Sequence, residues 1–164
     1  MVQSKQKITP CLWFESNAED AVRFYASVFA NSSIDQVHRS KADYPGGKEG
    51  SVLMITFTLA GQRYLALNGG PHDTFNDAIS LSVDCEDQAE VDRYWEKLCA
   101  DGGKPVQCGW LKDKFGLSWQ IVPRRLPELL SDPDAAIGKR VMQAMMQMVK
   151  LDIARLEAAA AAQS

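Results

Sequence analysis

The chain has 164 residues, 46% of them hydrophobic and 24% charged, the balance of a globular protein with an ordinary core. Its formal net charge is −3 and it carries no basic stripe, which argues against nucleic acid and anionic membrane surfaces as partners. No apolar run approaches the roughly 20 residues that cross a bilayer. The opening MVQSKQKITP lacks an apolar stretch, so no secretory signal is expected. The four cysteines, Cys11, Cys85, Cys99 and Cys108, form no CxxC pair and read as free buried thiols of a cytoplasmic protein.

Residues 8–14, ITPCLWF, form a short apolar run that reads as a strand. Ser16 with Glu19 makes a capping box ahead of a helix whose buried face is Ala18, Ala21, Val22, Tyr25, Val28 and Phe29. Residues 34–39 are a weak strand, and residues 43–50, with Pro45, Gly46 and Gly47, are a loop. Residues 51–59 alternate, with Val52, Met54, Thr56 and Thr58 on one face and Leu53, Ile55, Phe57 and Leu59 on the other. Ala60-Gly61 turns the chain into a further strand over 62–67, closing a hairpin.

Gly69-Gly70-Pro71 breaks the chain, and the pattern starts again. Residues 78–83 read as a strand. Asp87 with Glu90 caps a second helix, whose stripe is Val91, Tyr94, Trp95 and Leu98 and whose stop is Gly102-Gly103. Residues 106–111 and 118–122 read as strands around a turn at Lys114-Phe115-Gly116. Setting Phe14-Glu15 against Val83-Asp84 aligns Leu12 with Leu81, Val22 with Val91, Tyr25 with Tyr94 and Phe29 with Leu98, a weak internal repeat. The expectation is an α+β fold in a single domain over 1–164. It has two tandem βαβββ modules, at 7–68 and 76–123, with curved mixed sheets forming a cleft, and a C-terminal helix in a tail at 132–162.

In that tail Asp132-Pro133 starts a helix, and from 135 to 162 only Gly138 interrupts it. Met142, Met145, Val149, Ile153 and Leu156 recur at 3-4 spacing. Such a stripe packs on its own domain or, like a heptad seam, on a second copy in a homodimer.

The segment from Gly69-Gly70-Pro71 through Asn76-Asp77-Ala78-Ile79-Ser80 to Glu90-Val91-Asp92-Arg93-Tyr94-Trp95 carries a family resemblance. So does the run Cys108-Gly109-Trp110-Leu111-Lys112-Asp113-Lys114-Phe115-Gly116-Leu117-Ser118-Trp119-Gln120-Ile121-Val122-Pro123. Together they resemble the PhnB-like branch of the vicinal oxygen chelate (glyoxalase/bleomycin resistance/dioxygenase) superfamily, a branch often labelled 3-demethylubiquinone-9 3-methyltransferase. The resemblance implies paired βαβββ modules around a cleft, commonly a homodimer, and in active members a divalent metal held by His, Glu or Gln.

Carried onto this chain, the superfamily's ligand positions fall near Thr9, Asn68, Ala78 and Gln120, and none is His, Glu or Asp. That set is a poor first shell for a divalent ion, so no cofactor is expected. A metal-dependent lyase, isomerase or dioxygenase would need donors such as His72 or Glu15, or residues of a second subunit. His38 reads as solvated, and His72 as a loop residue or a proton donor to ligand. The glycine pairs are isolated turns with no fingerprint opening a helix, which counts against methyl transfer. Cys11 and Cys108 read as inert thiols or as nucleophiles near the cleft. Asp113 reads as a turn residue.

What remains is a lined pocket. By alternation Thr9, Cys11 and Trp13 share a face, as do Tyr64, Ala66 and Asn68, then Ala78, Ser80 and Ser82, and Ser118 with Gln120. Trp110 and Trp119 read as core or as stacking partners of a planar ligand. The expected protein binds a small neutral or aromatic ligand without a standard metal, with Trp13, Asn68, Ser80 and Gln120 positioning it. A non-catalytic dimerising module is the remaining alternative.

Overall fold

The computed structural model describes residues 6–162. Residues 1–5, on which the reading of the N-terminus partly rests, lie outside them. The chain falls into two compact units that divide between Phe75 and Asn76.

The first unit is βαβββ: β1 (Cys11–Phe14), α1 (Ala18–Val28), β2 (Ser33–Arg39), β3 (Val52–Leu59) and β4 (Gln62–Asn68). The sheet order is β1-β4-β3-β2, with β1 parallel to β4 and the other pairs antiparallel. The parallel pair follows from the crossover through α1, since parallel neighbours cannot be joined by a tight turn. Helix α1 buries Ala18, Ala21, Val22, Tyr25 and Val28 as the spacing predicts. The partner face of the sheet supplies Leu12, Phe14, Ile55, Phe57, Leu59 and Ala66.

The start of α1 differs from the expectation. No Ser16–Glu19 box caps it: Asn17 occupies the cap position without a side-chain bond. The amide of Ala18 instead donates to Asn68 Oδ1 at 2.9 Å, so an orphan N–H of the first turn finds its acceptor at the end of β4.

The second unit repeats the pattern with β5 (Ser80–Cys85), α2 (Gln88–Cys99), β6 (Lys104–Pro105), β7 (Trp110–Lys112) and β8 (Ser118–Pro123). Its order is β5-β8-β7-β6, with β5 parallel to β8. Asp87 caps α2 as predicted, accepting from the Glu90 N–H at 2.8 Å, while the Glu90 carboxylate takes the amide of Glu86, one residue before the cap, at 2.7 Å. Two boundaries shift. Ala78 lies in a turn before β5, where its amide donates to Asn76 Oδ1. The strand expected over 106–111 is split, because Cys108 and Gly109 take left-handed φ values of 58° and 83°.

The tail belongs to the second unit and is helical, but in pieces: α3 (Arg125–Leu130), α4 (Ala135–Met145) and α5 (Ile153–Ala161). Leu126, Leu129, Val141, Met148, Leu151 and Leu156 form one buried cluster. The chain leaves the helix between α4 and α5 because the amides of Cys108 and Gly109 take the carbonyls of Met148 and Val149, at 2.8 and 2.7 Å. The 3-4 stripe is therefore not a continuous seam. Leu156 is buried in its own unit, whereas Met142 and Val149 are exposed. Among the described residues no helix is long and apolar enough to cross a membrane.

Candidate functional site

Directly paired residues on neighbouring strands point to the same side of a sheet, so register sorts the candidate residues onto faces. In the first unit Cys11, Leu65, Thr56 and Gln36 form one row across all four strands. Trp13, Leu67, Met54 and His38 form the next. These rows lie on the side away from α1, with Thr9 beside them at the rim of a hollow it shares with Gln36, Thr56 and Leu65.

Tyr64 and Asn68 are on the other side, contrary to a common cleft face with Trp13. Tyr64 pairs with Phe57, its ring stacked at 5.6 Å, and burial raises its phenol pKa. Asn68 is buried and engaged at both ends of its carboxamide: Oδ1 accepts from Ala18, and Nδ2 donates to the Val52 carbonyl at 2.9 Å. Trp13 is half-buried; its indole N–H donates to the Gly70 carbonyl at 3.0 Å, and a Cβ on Gly69 would lie 2.3 Å from its ring. The missing side chain of Gly69 therefore serves close packing of the ring.

In the second unit the expected face forms. Ser82, Gln120 and Trp110 make one row, and Ser80, Ser118 and Lys112 the next. Gln120 Nε2 donates to Ser80 Oγ at 2.9 Å. Ser118 Oγ donates to Asp77 Oδ1 at 2.9 Å, and Lys112 Nζ lies 3.0 Å from the same oxygen. Lys112, with Ser118, holds the Asp77 carboxyl below its usual pKa. Trp119 faces the other way, paired with Leu81 and Leu111, and is core. Its indole N–H donates at 2.8 Å to Asp113 Oδ2, while Asp113 Oδ1 accepts from the amides of Phe115 and Leu117. Asp113 thus organises the β7–β8 turn.

The tail completes a hollow over this face. Trp110, Gln120 and Val122 form its floor, Cys108 one rim, and Leu126, Pro127 and Leu130 of α3 with Met145 of α4 its wall. Its volume is about 280 Å³. An apolar lining with a single carboxamide is the composition of a small-molecule site.

The donors needed for the superfamily's metal do not fit. Asn68 is consumed by backbone groups, Ala78 has no donor, and Thr9 and Gln120 are neutral. Among the described residues no group of three or more His, Cys, Asp or Glu could hold a metal ion. His38 and His72 are both exposed. Of the four cysteines, all free, only Cys85 is buried; Cys11 is exposed, and Cys99 and Cys108 are half-buried. The expectation of uniformly buried thiols is thus corrected.

Residues 6–122 match the profile of the family described as 3-demethylubiquinone-9 3-methyltransferase. The chain belongs to this family. A PhnB protein from Bacillus cereus carrying the same label is 40% identical, with a TM-score of 0.65 over 72% of this chain and 99% of that one. A protein designated PA1353 from Pseudomonas aeruginosa is 17% identical (TM-score 0.61, 73% and 98% covered), and the fosfomycin resistance protein FosX from Mesorhizobium loti is 13% identical (TM-score 0.50, 73% and 90% covered). These two share the fold alone. No curated protein sequence matches. The family match and the 40% identical PhnB protein confirm the PhnB-like resemblance in the sequence. The family match ends at residue 122, so the wall built by α3 and α4 lies outside it.

Proposed function

We propose that this family member binds a small neutral or aromatic molecule on the second sheet, in the hollow at Trp110 and Gln120, without a metal in the superfamily positions. One observation carries the reading. Gln120 is paired with both Ser82 and Trp110, so a stacking surface and a carboxamide stand side by side on the floor of an apolar hollow of about 280 Å³. A dry cavity of about 150 Å³ already takes benzene, so this hollow has room for a fused bicyclic ring. The indole offers a face for stacking, and Gln120 offers one acceptor and a second N–H beyond its bond to Ser80.

The family label names a methyl transfer, but the reading gives that reaction no support. Gly46, Gly69 and Gly70 approach one another backbone to backbone, with a Cβ on Gly46 only 2.5 Å from the Asn68 carbonyl. Their small size is used for packing. Ligand binding, with or without a catalytic step, fits the site better.

The test is a ¹H–¹⁵N titration of the full chain with 2-naphthol as a neutral bicyclic probe. The expected result is movement of the Trp110 indole N–H and the Gln120 carboxamide, both lost in Trp110→Ala. Shifts confined to other residues, or none at all, would discard the reading.

A further inference from the structure

The outward face of the first sheet carries a second hollow, of about 410 Å³, of opposite character. It is lined by Thr9, Asp35, Gln36, Thr56, Arg63 and Leu65. It holds one cationic and one anionic side chain, and these do not neutralise each other. We infer that this hollow binds a small zwitterion, an amino acid whose carboxylate meets Arg63 and whose ammonium meets Asp35. The inference does not depend on the ligand at Trp110.

Asp35 is there because the sheet is irregular. The pairing of β2 with β3 shifts between Ile34 and Gln36, which leaves Asp35 as an extra residue without a register partner. Such a bulge re-aims a side chain, and bulges cluster beside binding sites. Asp35 and Gln36, neighbours that regular alternation would send to opposite faces, thus line one hollow. The carboxylate is fixed by hydroxyls: Ser33 Oγ donates to Oδ1 at 2.6 Å, and Thr58 Oγ1 donates to Oδ2 at 2.8 Å. Both donors are neutral, so the negative charge persists, and each oxygen keeps a lone pair for a further donor.

Arg63 stands across Thr58, which is its register partner on β3. Its backbone is clamped by Gln6, whose Nε2 donates to the Arg63 carbonyl at 3.0 Å and whose Oε1 accepts the Arg63 amide at 3.2 Å. Its guanidinium has no hydrogen-bond or ion-pair partner among the described residues. Thr58 therefore separates an anchored carboxylate from a free guanidinium. A guanidinium takes a carboxylate through two parallel N–H donors, and an ammonium suits the remaining acceptors of Asp35. Thr9, Thr56 and Gln36 add uncharged hydrogen-bonding groups to the lining. A simple anion would leave Asp35 as a repulsive neighbour, and a simple cation would do the same with Arg63.

The experiment is an NMR titration of the full chain at low salt, where screening of exposed charges is weakest. The probes are glycine, 4-aminobutyrate, acetate and methylammonium. One of the two amino acids is expected to shift the amides of Gln36, Thr56 and Leu65 and to bind at least about tenfold tighter than acetate and methylammonium. Arg63→Gln and Asp35→Asn are each expected to weaken that binding by about tenfold or more, and Arg63→Lys by less. Because Asp35 also holds Ser33 and Thr58, its variant disturbs internal bonds as well; Arg63→Gln removes no internal bond and decides the matter alone. Acetate binding as tightly as either amino acid, Arg63→Gln leaving amino-acid binding unchanged, or no probe shifting these amides would each overturn the inference.

Discussion

The backbone amide of Ala18 and the carboxamide of Asn68, 50 residues apart, share a hydrogen bond of 2.9 Å that serves as the N-cap of α1. The other end of that carboxamide holds the Val52 carbonyl, so one buried side chain ties helix, hairpin and last strand together. Asn68→Ala leaves both backbone groups unpaired and is expected to cost about 3 kcal/mol. Asn68→Asp keeps the acceptor for Ala18 but sets a carboxylate against the Val52 carbonyl, and is expected to destabilise as well. Urea unfolding at constant m-value measures both; a loss under about 0.5 kcal/mol for Asn68→Ala would show the bracket to be dispensable.

Asp113 makes a parallel case in the second unit. It is 3% exposed and accepts from Phe115, Leu117 and the Trp119 indole. Asp113→Ala is expected to destabilise by about 3 kcal/mol and to change Trp119 fluorescence. Asp113→Asn presents an amide to the indole donor and should also weaken the turn. Unchanged stability in both variants would contradict the assignment.

The tail is held at Gly109. A Cβ there would sit 2.9 Å from the Leu151 side chain and 3.1 Å from the Ile121 carbonyl, at a φ of 83°. Gly109→Ala is expected to cost about 2 kcal/mol, and Leu151→Ala, at a fully buried position, about 3 kcal/mol. Removing residues 135–162 should therefore melt the second unit rather than only change an association state. Calorimetry of the shortened chain checks this: an unaltered melting transition would refute it.

Burial, aided by Glu90 and Asp84, pushes the Cys85 thiol from its ordinary 9.0 up to about 12. The unfolded chain then loses this proton first. The contribution to stability is complete below about pH 9 and is lost as the pH rises towards about 12. Cys85→Ala is expected to flatten that part of the stability profile. In thiol labelling Cys11, which is exposed, should react first and Cys85 only on unfolding. Rapid labelling of Cys85 in the folded protein would contradict its burial.

The sequence made the module order, the buried face of α1, most of that of α2 and the second sheet's polar face legible, with Tyr94 of the α2 stripe only half-buried. Ser80, Ser82, Ser118 and Gln120 share one face, as alternation predicts, because β5 and β8 pair without a shift. Alternation within β4 was also legible, but its phase against β1 was not. Phase depends on which residue of β4 meets Cys11, and the answer, Leu65, puts Tyr64 and Asn68 on the helix side. The placement of Asp35 was not legible because a bulge suspends alternation. The break after α4 carries no Gly or Pro; it is imposed by Cys108 and Gly109, some forty residues upstream. The hollow at Trp110 was not legible, since half its lining comes from α3 and α4.

The Ala18–Asn68 bond also bears on how the first unit assembles in time. Helix α1 has 11 residues, short enough to be marginal alone in water, and its start is completed only by a residue delivered after the whole hairpin has been made. Loop closure must come before the reward, which slows folding and makes it concerted rather than stepwise. A ribosome-bound fragment ending before Asn68 should therefore hold a fraying helix. Residue 68, the last of β4, then acts as the latch whose arrival commits the module to its native state.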